Sequence, residues 1–113
     1  MMIDDKIVNL TPHAITLVGE DGSVIATFPP SGVVARVATS TEVVGSLMGA
    51  PVKHTIFGEV EGIPAPQEGT VYLVSTLVAQ AAKRSDVVSP DTGPTAVREN
   101  GQVVGVRGFQ SFI

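Results

Sequence analysis

Short β-branched runs punctuated by glycine and proline, with one alanine-rich stretch among them, predict a compact β-rich α+β domain: a twisted antiparallel sheet or partly closed barrel with one short helix packed on it. Composition carries the same message. Twelve glycines and eight prolines in 113 residues demand many tight turns, and 43% hydrophobic against 16% charged residues calls for a core. A chain of this length buries roughly two thirds of the surface that its unfolded form exposes, so residues 1–113 are read as a single domain.

The elements follow in order. "KIVNL" (Lys6 to Leu10) and "AITLVG" (Ala14 to Gly19) are strands separated by Thr11-Pro12-His13, where proline removes a ladder donor. Asp21-Gly22 has the signature of a two-residue hairpin turn, in which both central positions want positive φ, leading into "SVIATF", Ser23 to Phe28. After Pro29-Pro30, "GVVARVA" (Gly32 to Ala38) reads as a strand. Thr39 to Pro51 has small residues, two glycines and no clean period, and is expected to be an irregular connection.

"VKHTIFG" (Val52 to Gly58) alternates as a strand, and Glu59 to Thr70 is a Pro/Gly-punctuated loop. "VYLVS" (Val71 to Ser75) is nearly continuous apolar sequence and should be a central strand. A helix is expected over Ser75 to Arg84, with Ser75 capping its start and Lys83 and Arg84 complementing the dipole at its end. A short strand, Asp86 to Val88, then leads through the turn "SPDTGP" to a last hairpin at Asn100-Gly101. A two-residue turn there sets Glu99 against Gln102, Arg98 against Val103 and Val97 against Val104.

Charge and composition remove several function classes. Seven Lys+Arg against eleven Asp+Glu give a net charge of −4, which argues against a broad grip on duplex nucleic acid. Without cysteine there is no disulfide framework and no zinc thiolate. The acidic opening "MMIDDKIVNL" is unlike a secretory signal, and no run approaches the roughly 20 apolar residues of a membrane span, so the cytoplasm is the expected compartment.

The most chemically suggestive run is "SPDTGPTAVRENG", Ser89 to Gly101. Asp-Thr-Gly is the catalytic triplet of dimeric aspartic proteases, but those place it early, after apolar residues, with supporting segments far downstream. Here it lies late and between prolines. "PDTGP" suits a turn, with Pro90 setting φ, the Asp91 carboxylate accepting local N–H groups and Gly93 supplying positive φ.

Backbone amides of such a turn can also cradle an anion, with Thr92 and Thr95 adding hydroxyls, and Arg98 and Arg107 following on one strand face. The competing reading has both arginines pairing with Asp86, Asp91 or Glu99 to tie the hairpin down. His13 and His54 have no metal-ligand spacing, and no metal or cofactor is expected. There is no G-x-S-x-G and no phosphate-binding glycine loop, so binding is favoured over catalysis. Phe109 and Phe112, in the apolar tail "GFQSFI", must be covered by their own sheet or by a partner; a symmetric homo-oligomer would do so with one patch.

The segments "NLTPHAITL", "GEVEGIPAPQEGTVYLVS" and "RSDVVSPDTGPTAVRENGQVVGVRGF" together resemble a family of small bacteriophage and prophage proteins. The resemblance spans the chain except about Thr39 to Pro51. It implies a setting in the host cytoplasm, either counter-defence or virion assembly, and carries no assigned site residues.

Three functional readings follow. The leading one is a non-enzymatic accessory protein that captures a small anionic ligand, a nucleotide-type immune signal, between Thr11, His13, the Asp91-Thr92-Gly93 turn with Thr95, and Arg98 and Arg107. Here Asp91 would accept from a sugar or base, the arginines and turn amides would hold phosphate, and His13 would donate or stack. The second is an inhibitor or assembly protein working through a protein interface that includes Phe109 and Phe112. The third is a small nucleotide hydrolase or lyase with Asp91 or His13 as general base.

Overall fold

A computed structural model describes residues 6–113; the acidic segment 1–5 lies outside the described residues. In chain order the strands are β1 (Lys6–Asn9), β2 (Ile15–Val18), β3 (Val24–Phe28), β4 (Arg36–Leu47), β5 (Ala50–Glu61) and β6 (Thr70–Leu73). Helix α1 (Thr76–Ala82) follows, then β7 (Val87–Pro90), β8 (Val97–Glu99), β9 (Gln102–Gly105) and β10 (Phe109–Gln110).

The centre is a four-stranded sheet in the order β1-β6-β7-β10. Strands β1, β6 and β7 run parallel and β10 is antiparallel to β7. Parallel neighbours need a crossover, and α1 supplies it between β6 and β7. Both of these strands are buried along their whole length, as the continuous apolar run Val71 to Val74 requires.

Alternation along them separates two cores. Tyr72, Val74 and Val87 join Leu10, Ala35 and the helix residues Val78 and Ala79 on one face. Val71, Leu73 and Val88 meet Ile7, Ile15 and Phe28 on the other. The helix therefore covers one face of the sheet while the β2–β3 hairpin covers the opposite one.

Several expectations are corrected here. The β-rich class with a short helix holds, but among the described residues the strands form no closed barrel, and the central sheet is mixed where an antiparallel one was expected. The strand expected over Gly32 to Ala38 begins only at Arg36, and the strand expected over Asp86 to Val88 runs from Val87 to Pro90. The helix is capped by Ser75, whose Oγ accepts from the Val78 N–H, and stops at Lys83 in the left-handed region (φ 49°). Arg84 leaves the helix to form a forked pair with Asp86 (2.6 and 2.9 Å), with its guanidinium 5.9 Å from the Tyr72 ring.

The largest correction falls on Thr39 to Pro51. This stretch is no irregular connection; it belongs to a β4–β5 hairpin with two twelve-residue strands, paired from Arg36↔Glu61 out to Leu47↔Ala50. Met48 and Gly49 turn the corner with φ of 52° and 84°, the pair of positive values that a two-residue hairpin turn needs, with Met where Asn is usual. The strand has no readable period because neither of its faces is buried: every residue from 38 to 59 is exposed.

Shape reflects this arm. The radius of gyration is 16.2 Å, against about 13 Å for a compact chain of this length. Only the arm's root is anchored, through Val37 and Val60 against the helix-side core.

Ser89, fully buried on β7, has a hydroxyl with no hydrogen-bond partner. A buried polar group left unpaired costs stability that its removal recovers. Ser89→Ala is therefore expected to stabilise the protein by about 1 kcal/mol in a urea melt; a destabilisation of that size would contradict this account of the core.

Candidate functional site

The site region is organised by Asn9, the last residue of β1 and almost fully buried. Its side-chain amide donates to the carbonyls of His13 (2.8 Å) and Phe28 (2.9 Å). Its Oδ1 accepts from the Thr11 N–H (2.9 Å) and the Thr11 hydroxyl (2.7 Å). One side chain thus fixes the Thr11-Pro12-His13 break and the end of β3. Thr11 is buried with its hydroxyl between Asn9 Oδ1 and the His13 carbonyl (3.0 Å), whereas the His13 side chain is exposed.

From this corner the chain enters β2, which is stitched to the last hairpin. Val18 N–H donates to the Val106 carbonyl (2.8 Å), and Val106 N–H donates to the Thr16 carbonyl (2.9 Å). The Asp91 N–H donates to the Gly108 carbonyl (2.9 Å), which draws the Asp91 to Thr95 turn to the same side. The three segments singled out in the sequence therefore meet. Between them lies a cleft of about 240 Å³ bordered by His13, Ile15, Thr92, Val103 and Val104.

Of the predicted site residues only His13 and Thr92 line this cleft, and the polar groups of Asp91, Arg98 and Arg107 beside it are largely engaged with the protein itself. Asp91 Oδ1 accepts from the Gly93 N–H (3.0 Å) and is 3.4 Å from the Gln110 amide nitrogen. The turn is thus held by the aspartate side chain, and Gly93 is absent from the positive-φ residues, contrary to the expectation that it would supply positive φ. The amide that would bind an anion is occupied by the turn's own carboxylate.

The arginines are likewise committed. Arg98 donates to the carbonyls of Thr92 and Gly93 (3.2 Å for the latter), and Arg107 donates to those of Thr95 (2.9 Å) and Gly19 (3.4 Å). They tie the hairpin down, as the competing reading held, but through backbone carbonyls; Asp86 is taken by Arg84. Both remain exposed, with donors to spare. The hairpin register matches expectation at Glu99↔Gln102 and Arg98↔Val103, but Val97 faces Gly105 and not Val104, because a bulge intervenes.

The tail docks on its own subunit. Phe109 lies on β10 opposite Pro90, edge to face with Phe28 at 6.5 Å, and is 37% exposed. Phe112 packs against the helix-side core. His54 stands mid-arm opposite Glu42. Among the described residues, no group of three or more His, Asp or Glu could hold a metal ion, and no helix is long and apolar enough to cross a membrane.

One exposed apolar surface is one that reading the sequence did not single out. On the arm Val43, Val44, Leu47, Met48, Val52 and Ile56 are all exposed, Met48 completely. Their signal in the sequence is the dense β-branched run on both sides of Met48-Gly49, which has the symmetry of a hairpin without its usual turn residues.

No family model, curated protein or solved structure matches the chain.

Asn9 provides the test of how the site region is built. Asn9→Asp keeps the acceptor but loses the two N–H donors, and leaves a buried carboxylate facing two carbonyls. A loss of about 3 kcal/mol is expected in chemical denaturation, with Asn9→Ala similarly affected and His13→Ala close to wild type.

Proposed function

We propose that this protein is a non-enzymatic binding protein that works through a protein interface built on the β4–β5 arm, in the manner of an inhibitor or assembly factor. The observation that carries this reading is the unbroken exposure of residues 38–59. A two-stranded hairpin without a packed face is marginal in water, and an exposed apolar edge invites pairing with another chain. The arm has few of the usual protections, with Lys53 and Pro51 on β5 and bulges near Val37 and Val43. Its run of exposed residues is of the size that one side of a standard interface takes, about 20–30 residues. The resemblance to phage and prophage proteins supports the same setting, in which small accessory proteins occupy host proteins or take part in assembly.

A second reading, capture of a small anionic ligand, is favoured by the convergence of His13, Thr92 and the β8–β9 hairpin on one cleft. It is weakened by the cleft's size, below the roughly 300 to 1,000 Å³ usual for such sites, and by the arginines' engagement with carbonyls.

One variant separates the two. Ser40 and Ile56 are register partners, so replacing residues 41–55 by Asn-Gly closes a shorter hairpin and leaves the core and cleft untouched. The expected result is a chain whose thermal midpoint stays within a few degrees of wild type, but which loses the macromolecular adducts or multimers seen by native mass spectrometry of protein purified from its own cells. A retained mass of a few hundred daltons, kept by the shortened arm and lost in His13→Ala, would instead establish the ligand reading.

A further inference from the structure

The arm's occupant can be narrowed. Resting on the reading of the arm as an interface, we infer that two copies of this chain lay their arms antiparallel, so that Leu47 and Met48 at the tip of each seat in a cleft at the root of the other.

The cleft lies where the arm leaves the body. It has a volume of about 480 Å³, room for two aliphatic side chains, and is lined by Ala35, Val37, Ala38, Leu77 and Val78, with the cross-strand pair Arg36 and Glu61 beside them. Leu77, on the first turn of α1, is 51% exposed at the edge of this cleft. At the other end Leu47 is 69% exposed and Met48 fully so, in a turn with no charged residue between Val43 and Val52. Apolar tip and apolar cleft thus stand at opposite ends of one element.

Length makes the arrangement self-complementary. Twelve residues of strand span about 40 Å. Two such arms set side by side in opposite directions therefore bring each tip to the other's root in a single closed pair. A two-fold interface requires this reciprocity, in which the same patch serves both subunits.

Charge permits it as well. Between Thr39 and Gly58 the ionisable residues are Glu42, Lys53 and His54, so the outer arm is close to neutral and like copies do not repel along it. Paired arms would cover the valines and isoleucine that each subunit leaves open, and they extend the interface over the size a standard complex uses. Flexible Met48 suits a tip that must fill a cleft it did not fold against.

The test uses the full chain in native mass spectrometry and analytical ultracentrifugation over a dilution series. The expected wild-type species is a dimer, or an even-numbered multimer built from it. Met48→Glu and Leu77→Glu should each raise the dissociation constant at least about tenfold, and Met48→Glu combined with Leu77→Lys should recover most of that loss. Both positions are exposed, so circular dichroism melts should match wild type. A photocrosslinker at position 48 should form its intersubunit product at or beside Leu77. A wild-type chain that stays monomeric at high micromolar concentration, or a multimer indifferent to both single variants, would overturn the inference. Leu77→Glu leaves the arm itself intact, so loss of partner capture only on shortening the arm would sustain the interface reading while rejecting self-association.

Discussion

The architecture turns on one buried amide. Asn9 is the residue at which β1 ends, and its four hydrogen bonds reach the next turn and the far end of β3 at once. Proline at position 12 prevents the strand from simply continuing, so the backbone groups around the break need partners that no ladder offers. The Asn9 side chain supplies two donors and one twice-used acceptor, matching the demand group for group. With the break fixed, β2 and β3 fold over the Val71, Leu73 and Val88 face of the sheet. The same bonds place His13 at the mouth of the cleft and bring β2 within reach of the last hairpin.

Against that well-satisfied corner, the arm stands as the opposite extreme. Its strands are held to each other by a ladder and to the body only at the root, through Val37 and Val60. Nothing in the subunit repays the entropy of ordering the outer residues except the cross-strand contacts themselves, which are small terms. On the proposed interface reading the body of the protein serves as a mount for the arm, with its helix contributing Leu77 to the cleft at the arm's base.

The two arginines illustrate how one chemistry serves two roles. A guanidinium offers a planar fork of donors that suits phosphate or carboxylate, and it suits a pair of backbone carbonyls equally well. Arg98 and Arg107 use it in the second way, clamping the carbonyls of Thr92, Gly93 and Thr95 in the turn. Asp91 behaves similarly, spending its carboxylate on the Gly93 amide. Residue type alone does not distinguish these uses, because the deciding quantity is where the carbonyls and amides point.

What was legible in the sequence is what local chemistry controls. Asn100-Gly101 announces its hairpin because both residues tolerate positive φ, and Ser75 announces a helix start because its hydroxyl can meet the Val78 amide. The apolar run Val71 to Val74 shows a strand buried on both faces, and the turn at Asp91 follows from proline and an Asx side chain. Parallel pairing of β1 with β6, across some sixty intervening residues, was decided only in three dimensions, since no local pattern records which strand lies beside which. The arm escaped for a related reason: periodicity reports a buried face, and a hairpin exposed on both sides has none to report. The sequence by itself determined the turns at Asp91 and Asn100-Gly101, the Ser75 cap and the buried strands, because these depend on contacts a few residues apart. Only the tertiary structure decided the Asn9 junction, the carbonyl partners of the arginines and the exposure of the arm, because each depends on segments that folding alone brings together or leaves apart.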